Sequence, residues 1–183
     1  MRKMKIIGLL IIVLLATQRA WAQDLPVLAQ IESSVAKQEP KWKLVRKTRT
    51  RNGQYFGYDW KAKKSLVAVL VVFYRSSEDA ANHFKGFPGL FEENGLKMTV
   101  LPTTIPNLGD ENYTWKDCCD KRFTGVDFRK GKVVVHVNAP SIEIAQRFAS
   151  HIAEVLAANH SVTEKRPNSH SARFVIAFPV HTG

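Results

Sequence analysis

The chain has 183 residues and a formal net charge of +11, with 27 basic side chains against 16 acidic ones and only two cysteines. That length suggests one domain once a targeting segment is removed. The two cysteines, Cys118 and Cys119, are adjacent, which fits neither the C-x₂-C spacing of metal clusters nor the C-x-x-C of thioredoxin-type redox sites. The N-terminus reads as an export signal. Arg2, Lys3 and Lys5 precede the apolar run Ile6 to Ala16, and Ala20-Trp21-Ala22 places small residues where a signal peptidase looks. The expectation is a signal peptide over residues 1–22, cleaved after Ala22. The mature protein would then be periplasmic or extracellular. No cysteine lies near the cleavage point for lipoprotein processing, and no later stretch is long and apolar enough for a transmembrane helix. The signal removes four basic residues and no acid, which leaves the mature chain at +7.

The elements follow in chain order. "DLPVLAQIESSVAKQEP" predicts a helix capped at Asp24, with Val27, Leu28, Ile31 and Val35 on one side and Pro40 as its stop. Asn52-Gly53 predicts a hairpin, because a type I′ turn requires positive φ at both central residues. Its register would set Arg51 opposite Gln54, Arg49 opposite Phe56, Lys47 opposite Tyr58 and Val45 opposite Trp60. One face then carries Val45, Phe56, Tyr58 and Trp60, and the other Leu44, Thr48, Thr50, Tyr55 and the pair Arg46 and Asp59. "SLVAVLVVFYRS" is apolar on both faces, as a central strand must be. Its alternative is a strand whose outer side, Leu70, Val72 and Tyr74, associates with a second copy. "SEDAANHFKGF" is a helix capped by Ser76 or Ser77 and stopped by Pro88-Gly89. From Glu92 to Phe123 the pattern gives a strand with Leu96, Met98 and Val100 inward, a loop over "TTIPNLGDEN", and a short strand at "YTW". "TGVDFRKGKVVVHVNAPS" is a second hairpin turning at Lys130-Gly131, with Phe128 opposite Val133 and Val126 opposite Val135. The last helix, "SIEIAQRFASHIAEVLAA", lines Ile144, Ala145, Phe148, Ala149, Ile152, Val155 and Leu156 along one face. The domain would span 23–158, with 159–183 a tail or an extra edge strand.

Two segments echo each other. "YDWKAKK" matches "VDFRKGK", and "VLVVFYRSSEDAANHF" matches "VVVHVNAPSIEIAQRF". A repeated strand–strand–helix unit of this kind predicts an α+β fold, a mostly antiparallel twisted sheet with helices packed mainly on one face. The stretch "NLGDENYTW…FRKGKVVVHVNAPSIEIAQRFA", from Leu108 to about Leu156, resembles small exported bacterial proteins of uncharacterised function. They share a Gly-Asp-Glu-x-aromatic turn and a Phe-Arg-Lys-Gly hairpin. The order of elements is also similar to the PsbP-like fold of exported lipoproteins and photosystem accessory proteins. The resemblance implies location and fold, and brings no catalytic residue with it.

Among residues that could carry function, the basic run is the strongest. Lys41, Lys43, Arg46, Lys47, Arg49 and Arg51 fall within eleven residues, with Lys61, Lys63 and Lys64 on the paired strand and its exit. Lys43, Lys47, Arg49, Arg51, Lys61 and Lys63 are the candidate ligand contacts, through charge, because the interleaved Tyr58 and Trp60 align with Val126 and Phe128 in the internal echo and read as core. Cys118 and Cys119 are a candidate vicinal disulfide, with pairing to another chain or a redox or metal role as the alternatives. The six histidines show neither H-x-x-x-H nor H-E-x-x-H spacing and read as scattered surface residues. Gly109-Asp110 reads as a turn whose aspartate bonds nearby backbone N–H groups. No phosphate loop, nucleophile elbow or dinucleotide fingerprint occurs, so no catalytic residue, metal or cofactor is expected. The reading is a non-catalytic exported domain that binds a protein partner or an anionic envelope component rather than a nucleic acid. Its alternative is a small periplasmic hydrolase or redox protein working at the 109–120 loop.

Overall fold

The computed structural model describes residues 24–50, 53–93, 98–101, 104–117 and 124–164. The expected signal peptide, Arg51, Asn52, Leu96, Cys118, Cys119 and the chain after Glu164 lie outside the described residues. Helix α1 (Asp24–Gln38) leads into strands β1 (Lys43–Arg49), β2 (Tyr55–Ala62) and β3 (Ser65–Phe73), then helix α2 (Ser77–Glu93). Strands β4 (Met98–Leu101), β5 (Glu111–Asp117), β6 (Thr124–Lys130) and β7 (Val133–Ala139) follow, then helix α3 (Ile142–Glu164).

The seven strands form one sheet in the order β1-β2-β3-β7-β6-β5-β4, antiparallel at every step. Strands β3 and β7 meet at its centre, so the valine-rich strands of the two echoed units pair with each other. Period-2 alternation sends Phe56, Tyr58, Trp60, Val67, Val69, Val71, Val126, Phe128, Val133, Val135 and Val137 to one face. There they meet Ile31 and Val35 of α1 and Ala145, Phe148, Ala149 and Ile152 of α3. Trp60 stacks on Tyr58 and meets Phe148 edge-on, and Trp42 meets Phe148 from the other side. A fully buried side chain of this size contributes roughly 1.5–3 kcal/mol, so this face holds most of the stability.

Among the described residues, the opposite face is covered by α2, which crosses β4, β6 and β7. Val72, Ala80, Phe84 and Val134 form its small core, with Tyr55, Leu70, Tyr74 and Tyr113 packed around them. Val72 is fully buried here, and Leu70 and Tyr74 on the same side of β3 are partly buried.

Four expectations change. Strand β1 carries a bulge between Leu44 and Arg46, so Leu44 pairs with Trp60 and Val45 is thrown out to 55% exposure. The second hairpin turns one residue later than expected. Lys130 opposes Val133, Phe128 opposes Val135 and Val126 opposes Val137. A two-residue slip preserves parity, which is why the inward faces were still assigned correctly. Helix α2 runs through Pro88 to Glu93. On edge strand β4, Val100 is 46% exposed instead of inward.

Candidate functional site

Strand β1 is a terminal strand, and six of its seven residues are exposed. Lys43 opposes Lys61 at one end, and Lys63 occupies the adjoining turn with φ of 55°. Lys47 opposes Tyr58 and bonds Glu32 on α1. Arg49 opposes Phe56 and lays its guanidinium over that ring, 5.2 Å from the centroid. Arg46 is paired to Asp59 at 2.6 Å. The five described candidates therefore lie together along one sheet edge but divide between its two faces. Lys47 and Arg49 stand on the α1 side and Lys43 and Lys61 on the other. The aromatics Phe56, Tyr58 and Trp60 are core, so the arrangement is a basic rim and not an aromatic stacking platform. No ion pair joins Lys43, Lys61 or Lys63 to another described residue, whereas Arg46 and Lys47 are partly neutralised. Among the described residues, no helix is long and apolar enough to cross a membrane.

The acidic turn is structural. Asp110 Oδ2 accepts from the Gly131 N–H at 2.7 Å, and Asp110 Oδ1 from Lys130 Nζ at 2.9 Å. Arg129 donates to Glu111 Oε1 at 2.8 and 3.1 Å and to Asp110 Oδ2 at 3.2 Å. Burial works against the charge of Asp110, but the Gly131 N–H, Lys130 and Arg129 outweigh it and hold the carboxyl below its ordinary range. Gly109 has φ of +69°, and a Cβ there would come 2.4 Å from the Arg129 carbonyl oxygen. Asn112 ties the preceding loop down: its Oδ1 accepts from the Ile105 N–H, and its Nδ2 donates to the carbonyls of Ile105 and Leu108. The Gly-Asp-Glu turn and the Phe-Arg-Lys-Gly hairpin are thus two halves of one interlock. Its acids hold the two segments of chain together.

The reading of the histidines as surface residues is overturned for His136. His136 on β7 is only 5% exposed, and Asp127, directly opposite it on β6, is fully buried. His136 Nδ1 stands 3.3 Å from Asp127 Oδ2. Both Asp127 oxygens and both ring nitrogens of His136 lack a partner at hydrogen-bond geometry, as do the hydroxyls of Tyr74 and Tyr113 and Oδ1 of Asn138. Phe87 lies over the His136 ring with centroids 3.9 Å apart, and His83 stands edge-on to it at 6.1 Å. Burial, then the neighbouring His136, pushes the His83 pKa down, and burial, then the Asp127 charge, pushes the Tyr113 hydroxyl up. A cavity of about 240 Å³ opens beside this pair, lined by Ala68, Val69, Leu70, Phe87, His136 and Asn138. The one sequence signal for it was parity: in a strand whose odd positions are core valines, a polar His136 and Asn138 share the other face. No group of three or more His, Cys, Asp or Glu among the described residues converges on a metal-sized site.

A third cluster, Glu39, Arg147 and His151, fastens the end of α1 to α3. Arg147 Nε donates to Glu39 Oε1 at 2.7 Å, and His151 Nε2 lies 3.4 Å from the same oxygen. Burial opposes the charge of Glu39, but Arg147 and His151 outweigh it and keep its carboxyl below the usual range.

The fold and its sites define an α+β domain built on one seven-stranded antiparallel sheet, with a basic edge and a buried polar pocket. No protein family, curated protein or solved structure matches the chain.

Proposed function

We propose that the protein is an exported, non-catalytic domain that binds an anionic partner through edge strand β1 and the adjoining β2–β3 turn. The observation that carries the reading is the concentration of charge on an exposed edge. Residues 41–64 hold nine basic side chains and one acid, Asp59. Of these, Lys43, Arg46, Lys47 and Arg49 lie on β1, a terminal strand whose outer edge has no partner strand among the described residues. A row of lysines and arginines on an edge also discourages pairing between copies of the protein, so the same residues that repel self-association attract acidic polymers or anionic head groups. Because the surface is solvated, its contribution falls steeply with salt.

The test uses the mature chain and a quadruple variant with Lys43, Lys47, Arg49 and Arg51 changed to glutamine. Binding to phosphatidylglycerol vesicles and to polyglutamate is measured at rising ionic strength. The expected result is salt-sensitive binding of at least one probe by the wild type, and a loss of roughly tenfold or more in the variant. Equal binding by the two proteins would remove β1 as the contact surface.

A further inference from the structure

We infer that the outer edge of β1 receives an extended acidic segment of a partner protein as an eighth strand of the sheet. This rests on the anionic-edge reading above, and adds the kind of anion and the way it is held. The ladder shows which backbone groups are on offer. The Thr50 N–H bonds the Tyr55 carbonyl, and the Phe73 N–H bonds the Gln54 carbonyl. Antiparallel pairs alternate between exchanging both bonds and exchanging none. Tyr55, Gly57 and Asp59 therefore turn their backbone groups toward β1, where Thr50, Thr48 and Arg46 meet them. Lys47 and Arg49, lying between, turn theirs outward, and no partner strand meets them among the described residues. They offer two donors and two acceptors to a strand laid alongside. The bulge between Leu44 and Arg46 interrupts the ladder before this run and keeps the open edge short.

Charge selects the partner. Strand β1 holds Lys43, Arg46, Lys47 and Arg49 and no acid. Glu32 takes Lys47 and Asp59 takes Arg46, which still leaves the edge positive. Lys43 stands directly opposite Lys61, and no ion pair relieves either among the described residues. Like charges set opposite each other destabilise a sheet, so a carboxylate placed beside Lys43 removes a standing repulsion. Two copies of this edge repel each other, which disfavours the chain itself as the occupant. Geometry then favours a peptide over a lipid surface. The basic side chains divide between the two faces of the sheet, Lys47 and Arg49 on the α1 side and Lys43 and Lys61 on the other. A flat bilayer meets one face at a time. The side chains of an extended strand alternate between faces with the same period as β1, so acids on it reach both sets at once. Main-chain bonds then supply affinity, and the alternating acids supply specificity.

The experiment titrates the mature protein with a short capped peptide of glutamates interspersed with valine and threonine, its acids on both faces. A second peptide has the same sequence with two adjacent central amides N-methylated. Its charge is unchanged, but neither of its edges can complete a ladder. Amide ¹⁵N shifts give the affinity, and amide hydrogen exchange reports the ladder. The parent peptide should bind saturably and slow exchange at the Lys47 and Arg49 amides by roughly tenfold or more. The methylated peptide should bind roughly tenfold more weakly or not at all. Lys47→Pro and Lys47→Gln remove the same charge, but only the proline also removes the outward N–H, at an edge position that leaves the bonds to β2 in place. The proline variant, folded by circular dichroism, should bind roughly tenfold more weakly than the glutamine one. Equal binding of the two peptides, or unprotected Lys47 and Arg49 amides in the complex, sinks strand addition while the anionic-edge reading stands. Binding of phosphatidylglycerol vesicles but of neither peptide makes the partner a lipid surface and overturns strand addition in the same way. If no peptide, vesicle or polyglutamate binds, the anionic-edge reading itself fails and strand addition with it.

Discussion

Asp110 shows how much one side chain decides. It takes a backbone N–H, a lysine and an arginine at once, and so locks the β5 entrance to the β6–β7 turn. Glu39 does the same between α1 and α3 through Arg147. Both carboxyls titrate below their ordinary range in the folded state. A depressed folded pKa contributes stability that is fully present above the unfolded value and is lost as pH falls through the folded one. Urea unfolding of wild type should therefore show stability falling on the acid side of the normal carboxylate range. The Glu39→Gln, Asp110→Asn double variant should lose about 1–2 kcal/mol per site near neutral pH, discounted for partial exposure. Its acid limb should also be flatter. An unchanged slope would mean that these contacts do not persist in solution. Asp110 was legible in the sequence because a Gly-Asp turn has a local signature. Asn112 was not, since its three bonds reach back to a loop that no spacing rule connects to it.

Among the elements, the two hairpins and helix α2 are the informative ones. The β2–β3 and β6–β7 turns align in the internal echo, and both place a left-handed residue at the matching position: Lys63 with φ of 55° and Gly131 with φ of 57°. The echo is therefore real at the hairpins. It ends at the helices, because α2 goes to one side of the sheet and α3 to the other. Both start with a serine cap, Ser76 to the Asp79 N–H and Ser141 to the Ile144 N–H, so local sequence shaped the helix starts but not the face. Pro88 inside α2 lacks the N–H that would bond the Phe84 carbonyl. Pro88→Ala should then stabilise the protein by about 1–3 kcal/mol in urea unfolding, the interior-proline penalty less whatever strain packing has relieved. No gain would mean that the helix effectively ends where the sequence put its stop.

Across the whole molecule, one large core does most of the holding. Helices α1 and α3 seal one face of the sheet, and Ile31 and Ile152 are fully buried there. Ile31→Ala should cost about 2–5 kcal/mol in chemical denaturation, and a cost under 1 kcal/mol would show that α1 is a loosely docked arm. The other face is half covered, and it is there that the buried Asp127–His136 pair and the cavity lie. The sequence by itself determined the element order, the apolar faces, the α+β class and the density of charge on the first hairpin. Periodicity and turn chemistry are local, and each speaks through residues a few positions apart. Only the tertiary structure decided that β3 and β7 join the two halves, that β1 is an edge and that α2 crosses to the far face. Only it set Asp127 beside His136 under Phe87, because burial depends on which surfaces meet across long stretches of chain, and a histidine in a strand carries no mark of what will cover it.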